Sequence, residues 1–281
     1  MGDFQVAETV LEERFAITVE QVGVSDLATT APPVDEKEAK EEIERDRERF
    51  HCDIDEQAHK RSVISSLALR RKLDDAGCDA FSMNFQGFDT DEGVMGAVPF
   101  LEASKAMSRG VGYAGEGDVL TAALVGALQR AFGRTTFTEV FCPDWKGNSL
   151  FLSHMGEINP DVADGVPDLI EKDYPFSAAH NPAFLACAPR PGKAVYVNLA
   201  PGPHHTFTLL VSPVDVLPDA TTPAMTRCVR GWIRPRVDIA RFLESYSRAG
   251  GTHHSALVLG DRAEAVLAFG KFAGLDVRSI G

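Results

Sequence analysis

Apolar and polar positions along the chain fall into two textures. In the first, Phe15 to Val24 reads FAITVEQVGV, a β-branched alternation that predicts a strand closing at Ser25 and Asp26. Pro32 and Pro33 then break the chain, and Asp35 opens EKEAKEEIERDRERF, charged almost throughout with opposite signs at helical spacing. That composition predicts a solvated helix, exposed over most of its surface. A second helix is expected from Asp55 to about Ala76, where Val63, Ile64, Leu67 and Leu73 form an apolar stripe and Gly77 supplies a stop. CDAFSMNF, from Cys78 to Phe85, follows as a buried strand, and Phe100 to Ser108 is again helical. Strand, helix, helix, strand, helix describes α/β layering around a mainly parallel sheet.

Beyond Gly133 the second texture begins. TTFTEVF, NSLFLSH, KAVYVNLA, HHTFTLLVSPV and MTRCVRGWI are short apolar or alternating runs punctuated by Pro, Gly and Asp. Such runs predict antiparallel strands in a barrel or sandwich rather than βαβ units. HHSALVLG, the helical DRAEAVLAFGKFAG and LDVRSI close the chain with strand, helix, strand. The expectation is therefore an α/β domain over residues 1–133 and a β-rich, barrel-like domain over 134–281, with any site at their junction.

Composition narrows the function more than the fold. Lys and Arg number 28 against 41 Asp and Glu, a formal charge of −13, which repels phosphate backbones and anionic lipid. Nucleic acid and membrane surfaces are not expected partners. The five cysteines are scattered without a CxxC pair, so reduced thiols in the cytoplasm are expected. The first ten residues carry Asp3 and Glu8 and do not read as a signal peptide. The usual phosphate, dinucleotide and serine-hydrolase motifs do not occur in their required settings.

Four places remain where chemistry is concentrated. Glu116 sits in Gly112-Tyr-Ala-Gly-Glu-Gly-Asp118, directly before the apolar run VLTAALVGALQRAF. The glycines allow a sharp bend and close approach of another group, and Asp118 is suited to cap the helix; taken alone, this is more readily a plain capping turn. Glu139 lies within TTFTEVF, sharing a face with Phe137 and Phe141. A charge there is costly unless paired or bound to a cation, or else the strand is an edge with Glu139 in water. His154 ends the strand NSLFL, and His253-His254 follow Gly250-Gly251-Thr252 at a strand entrance. Isolated histidines are more often structural, but two carboxylates with two imidazoles suit Mn²⁺, Co²⁺ or a similar ion. His204 and His205 could coordinate only one at a time, since neighbours on a strand face opposite ways; they read as pocket-wall residues or, more readily, structural ones, and His51 and His59 as exposed.

In order along the chain, GYAGEGDVLTAAL, TTFTEVF, KGNSLFLSHMGEINP and AGGTHHSALV resemble the metal-site segments of the L-arabinose isomerases, and MGDFQVAETVL resembles the start of that family's middle domain. The resemblance implies Mn²⁺ held by Glu116, Glu139, His154 and His254. Glu116 and Glu139 would be the acid and base of an aldose–ketose isomerisation, and His253, Phe137 and Met155 the neighbours that contact sugar. It also implies a homo-oligomer, trimeric or hexameric, and an N-terminal α/β domain of the family that is expected to be absent from this sequence. The competing expectation is a metal- and sugar-binding subunit that does not turn over by itself; a metal-dependent lyase or hydrolase on the same ligands has no separate nucleophile to support it.

Overall fold

The computed structural model describes residues 2–30, 34–220 and 225–281. The predicted break at Pro32 and Pro33 lies outside them. The chain opens with helix α1 (Glu8–Phe15), closed by Ala16 at φ 53°, and helix α2 (Val24–Thr30). The predicted strand from Phe15 to Val24 does not form. Phe15, Ile17 and Val19 are half-buried against the main core while Ala16, Thr18 and Glu20 are exposed. The alternation therefore decides which side faces inward, but a ladder also needs a pairing strand, and none of the described strands pairs with this segment.

Helices α3 (Glu36–Arg49) and α4 (Glu56–Asp75) start where the sequence places them, because Asp35 accepts the amide of Lys37 and Asp55 those of Gln57 and Ala58. The α3 helix is less solvated than its composition suggests. Its Glu42 and Asp46 are buried against Arg70 of α4 and Lys105 of helix α5 (Phe100–Ser108). His59, expected to be exposed, is instead 2% exposed and bonded to Asp46 at 3.0 Å.

The parallel sheet is smaller than predicted and divided. Among the described strands β2 (Ala80–Met83) pairs only with β3 (Gly112–Gly115), in parallel, and β3 leads into helix α6 (Val119–Phe132). The short β1 (His51–Asp53) pairs in parallel with β6 (Asp168–Glu171), itself antiparallel to β7 (Ala183–Ala186). A three-stranded sheet thus joins segments from both halves of the chain.

The second half forms a closed antiparallel barrel. Its six strands are β4 (Thr135–Asp144), β5 (Ser149–Ser153), β8 (Gly192–Pro201), β9 (Phe207–Val216), β10 (Gly231–Pro235) and β11 (His254–Leu259). They run in the order β10-β5-β4-β11-β8-β9, and pairing of β9 with β10 at Ile233 and Val216 closes the ring. Strand β12 (Asp276–Ser279), after helix α8 (Ala263–Phe272), adds in parallel to β9. Alternate residues enter two different cores. Leu150, Leu152, Tyr196, Leu210 and Leu257 pack with Phe242 and Tyr246 of helix α7 (Ile239–Arg248). Phe137, Val195, Val197, Ala256 and Val258 pack with Leu120, Leu124, Val125 and Leu128 of α6. His204 and His205 are exposed, at φ 56° and 57°, in the turn between β8 and β9 rather than on a strand, and do not line a pocket wall. No helix of the described residues is long and apolar enough to cross a membrane.

Candidate metal centre

The face of the barrel that packs on α6 carries the candidate residues. Antiparallel register sets His254 of β11 opposite Glu139 of β4, and Glu139 opposite Ser153 of β5, the residue before His154. Three neighbouring strands therefore bring a carboxylate and two imidazoles to one end of the barrel. From the other side β3 delivers Glu116 through a backbone that few side chains tolerate: Glu116 stands at φ 62° and Gly117 at φ 85°. The amide of Glu116 donates to the Met83 carbonyl at 2.9 Å, fixing the turn on β2. Gly115 is needed for a different reason: a Cβ there would stand 2.5 Å from Cε1 of His154.

These elements meet around a point of unsatisfied polarity. Oε2 of Glu116 lies 3.9 Å from Nε2 of His253 and 3.9 Å from Nε2 of His254. All three atoms are buried, none has a hydrogen-bond partner, and the three residues offer ligand atoms within 4.8 Å of one another. A buried polar atom without a partner costs about 1–3 kcal/mol, so three facing one another form a set that a shared cation would satisfy. Two imidazole nitrogens and a carboxylate oxygen fit a divalent cation of borderline hardness.

The remaining expected residues surround this group. Phe137, 1% exposed, presents its ring edge-on to His154 at 4.7 Å and to His254 at 4.9 Å, and the two imidazoles stand 5.5 Å apart. Glu139 is half-buried, and its carboxylate has no hydrogen bond or ion pair to any described residue. Met155 is half-buried against the main core. Glu116, His253 and His254 thus converge most tightly, with Glu139 and His154 alongside.

A second ring of carboxylates holds the imidazoles. Asp118 divides its oxygens: Oδ1 accepts the Thr121 amide at 2.8 Å as the cap of α6, while Oδ2 faces Nδ1 of His254 at 3.1 Å. Glu157 accepts from Nδ1 of His154 at 2.8 Å, from the Gly156 amide at 2.8 Å and from the Tyr113 hydroxyl at 2.5 Å. Burial works to push the His154 imidazole down, but the Glu157 carboxylate, with Glu139 and Glu116 beyond it, holds it above its ordinary value. The Glu157 carboxyl, which burial would raise, is held low by His154, Tyr113 and the Gly156 amide. Because a carboxylate only accepts, each of these histidines carries a proton on Nδ1, and in the neutral ring Nε2 is then the ligand atom. The residues that sequence reasoning passed over are Tyr113, Glu157 as a partner of His154, and Asp3. The first two lie within quoted motifs, and Asp3 within MGDFQVAETVL, but no local feature of that segment marks Asp3 as a partner of His253.

Comparison with known proteins gives the family. The pattern of the L-arabinose isomerase central domain matches residues 6–132, and that of the L-arabinose isomerase C-terminal domain matches residues 134–276. Among curated proteins, L-arabinose isomerase 1 of Bacillus licheniformis is 29% identical over 92% of this chain and 53% of its own length. L-arabinose isomerase of Oceanobacillus iheyensis is 28% identical over 94% of this chain and 57% of its own. That of Erwinia tasmaniensis is 31% identical over 75% of this chain and 42% of its own. The chain spans about half the length of the curated relatives it matches.

Proposed function

Since this chain belongs to the L-arabinose isomerase family, matching both its central and its C-terminal domain, we propose that it carries the metal centre of an aldose–ketose isomerase acting on a free sugar such as L-arabinose. The observation that carries the reading is the trio of buried, partnerless ligand atoms on Glu116, His253 and His254. Mn²⁺ or Co²⁺ would be held by Glu116 and His254, with Glu139 and His154 completing the set from the adjoining strands. When bound, such an ion supplies Lewis-acid polarisation of the carbonyl and neighbouring hydroxyl oxygens of an open-chain aldose.

The chain's own groups then divide the proton work. Glu116 points its free oxygen at the histidines and is suited to holding charge there. The Glu139 carboxylate makes no hydrogen bond or ion pair among the described residues, which leaves it open to a substrate proton. It removes the proton from C2 of the sugar, giving a cis-enediol, and returns it to C1, while Glu116 assists transfer between the two oxygens. Phe137, with Met155 nearby, forms the apolar wall that excludes water from the exchanging proton. Function in the cytoplasm as a trimer or hexamer belongs to the same proposal.

The test is ketose formation by the protein with added Mn²⁺ across a panel of aldopentoses and deoxyhexoses. Glu139→Gln is expected to lower the rate by on the order of 10²–10⁴ while the fold stays intact. A variant as active as the parent contradicts the assignment. A second reading is a metal- and sugar-binding subunit without turnover. It predicts Mn²⁺ uptake and stabilisation by sugar with no ketose formed.

A further inference from the structure

Each of the three imidazoles near the centre has its Nδ1 on a carboxylate, but the three carboxylates differ in kind. Asp118 and Glu157 are wholly buried and lie on the segments that build the site. The third is Asp3, 250 positions from its partner and with a side chain 43% exposed. Its Oδ2 meets Nδ1 of His253 at 2.5 Å and the His253 amide at 3.3 Å. The next residue, Phe4, is 5% exposed and lies on the His254 ring at 4.8 Å and 13°, with its centroid 5.5 Å from that of His253. Two consecutive residues of the N-terminal segment thus grip both histidines.

We propose that Asp3 is a positioning residue of the metal centre: by keeping the proton of His253 on Nδ1 it turns Nε2 inward, making His253 a ligand alongside His254 and Glu116. An imidazole without such a partner is free to rotate and to place its proton on Nε2, where it cannot coordinate. The sequence Thr252-His253-His254 would suggest that only one of two adjacent histidines points at the ion, since strand neighbours alternate. His253 precedes β11 rather than lying within it, and that release from alternation lets both rings face Glu116.

The inference rests on the metal-centre reading, and the test separates the two. Titration of the full chain with Co²⁺, followed by its visible absorption, gives affinity and coordination geometry without any turnover. Asp3→Asn is expected to weaken Co²⁺ binding about 10–100-fold and to alter the band shape, with the melting temperature of the metal-free protein unchanged; Asp3→Glu, which keeps a carboxylate, should recover much of the affinity. In a His253→Ala background the same Asp3→Asn change should have no further effect. Parental affinity in Asp3→Asn, or an equal loss with and without His253, would overturn the positioning role while leaving the metal centre standing. Failure of the parent to take up Co²⁺ at all would remove both.

Discussion

Two buried clusters of charge in this molecule look alike in composition and differ in what they leave unfinished. Between α3, α4 and α5, Glu42, Asp46, His59, Arg70, Glu102 and Lys105 are packed out of solvent or nearly so, and Arg70 alone bonds Glu102 at 2.8 Å and Glu42 at 2.7 Å. At the barrel end, Glu116, His154, His253 and His254 are packed comparably with Asp118 and Glu157. Both clusters contain a buried histidine on an aspartate, His59 with Asp46 and His254 with Asp118, at nearly the same distance. In the first, no buried nitrogen or oxygen of the six side chains lacks a partner; in the second, three do. A buried histidine–carboxylate pair is therefore no sign of a metal by itself. The sign is an imidazole whose outer nitrogen is held and whose inner nitrogen has nothing to meet.

The contrast breaks most visibly if the two clusters are cut in turn. Glu42→Ala leaves Arg70 with Glu102 alone and Lys105 with Asp46 alone in a low-dielectric interior and is expected to lower unfolding stability by about 3 kcal/mol, read by urea denaturation, with Co²⁺ affinity unchanged. Glu116→Gln should do the reverse, abolishing metal uptake while stability of the metal-free protein holds. If both variants lose both properties, the clusters are one unit and the distinction fails.

Acid sharpens the same difference. Burial works to raise the Glu42 carboxyl, but Arg70 and Lys105 more than reverse it and hold it well below its ordinary value of 4.5. A depressed value means the stabilisation is present above the unfolded value and is lost as pH falls toward the folded one. The urea midpoint of the metal-free protein should therefore decline below about pH 5, and Glu42→Gln should flatten that decline. An identical pH profile in the two proteins would place the acid sensitivity elsewhere.

The smaller effects concern two glycines two positions apart. Gly115→Ala sets a methyl against the His154 ring and is expected to cost about 1–3 kcal/mol together with a loss of metal affinity. Gly117→Ala meets no atom within 4 Å, so only its φ of 85° opposes it, at about 1–2 kcal/mol and with a smaller effect on affinity. Thermal melting with and without Mn²⁺ distinguishes them, and equal metal dependence in both would remove the close contact as the reason for Gly115.

The parts of this fold that depend on neighbours in sequence are legible in it. Asp35, Asp55 and Asp118 announce helix starts because the amides they accept lie within three residues. Helix α7 also has its signal, with Asp238 as cap and Ile239, Phe242 and Tyr246 on one face, though the Gly- and Pro-punctuated strands around it mask the change of period. Pairing across distance is what the sequence hides. Nothing local tells that β1 will pair with β6, or that FAITVEQVGV will pair with none of the described strands. At the site, the glycine-flanked Glu116 and the doubled histidine stand out, since unusual backbone leaves a composition mark. The Asp118 pairing with His254 does not, because capping already explains that residue, and Asp3 is invisible until the fold carries it to His253.

Anomalous diffraction from crystals soaked in Mn²⁺ or Co²⁺ goes straight to the central question. A peak within coordination reach of Glu116 Oε2 and of Nε2 of both His253 and His254 is the predicted result. Density only on the acidic surface, with those three atoms still facing one another across unoccupied space, would contradict it.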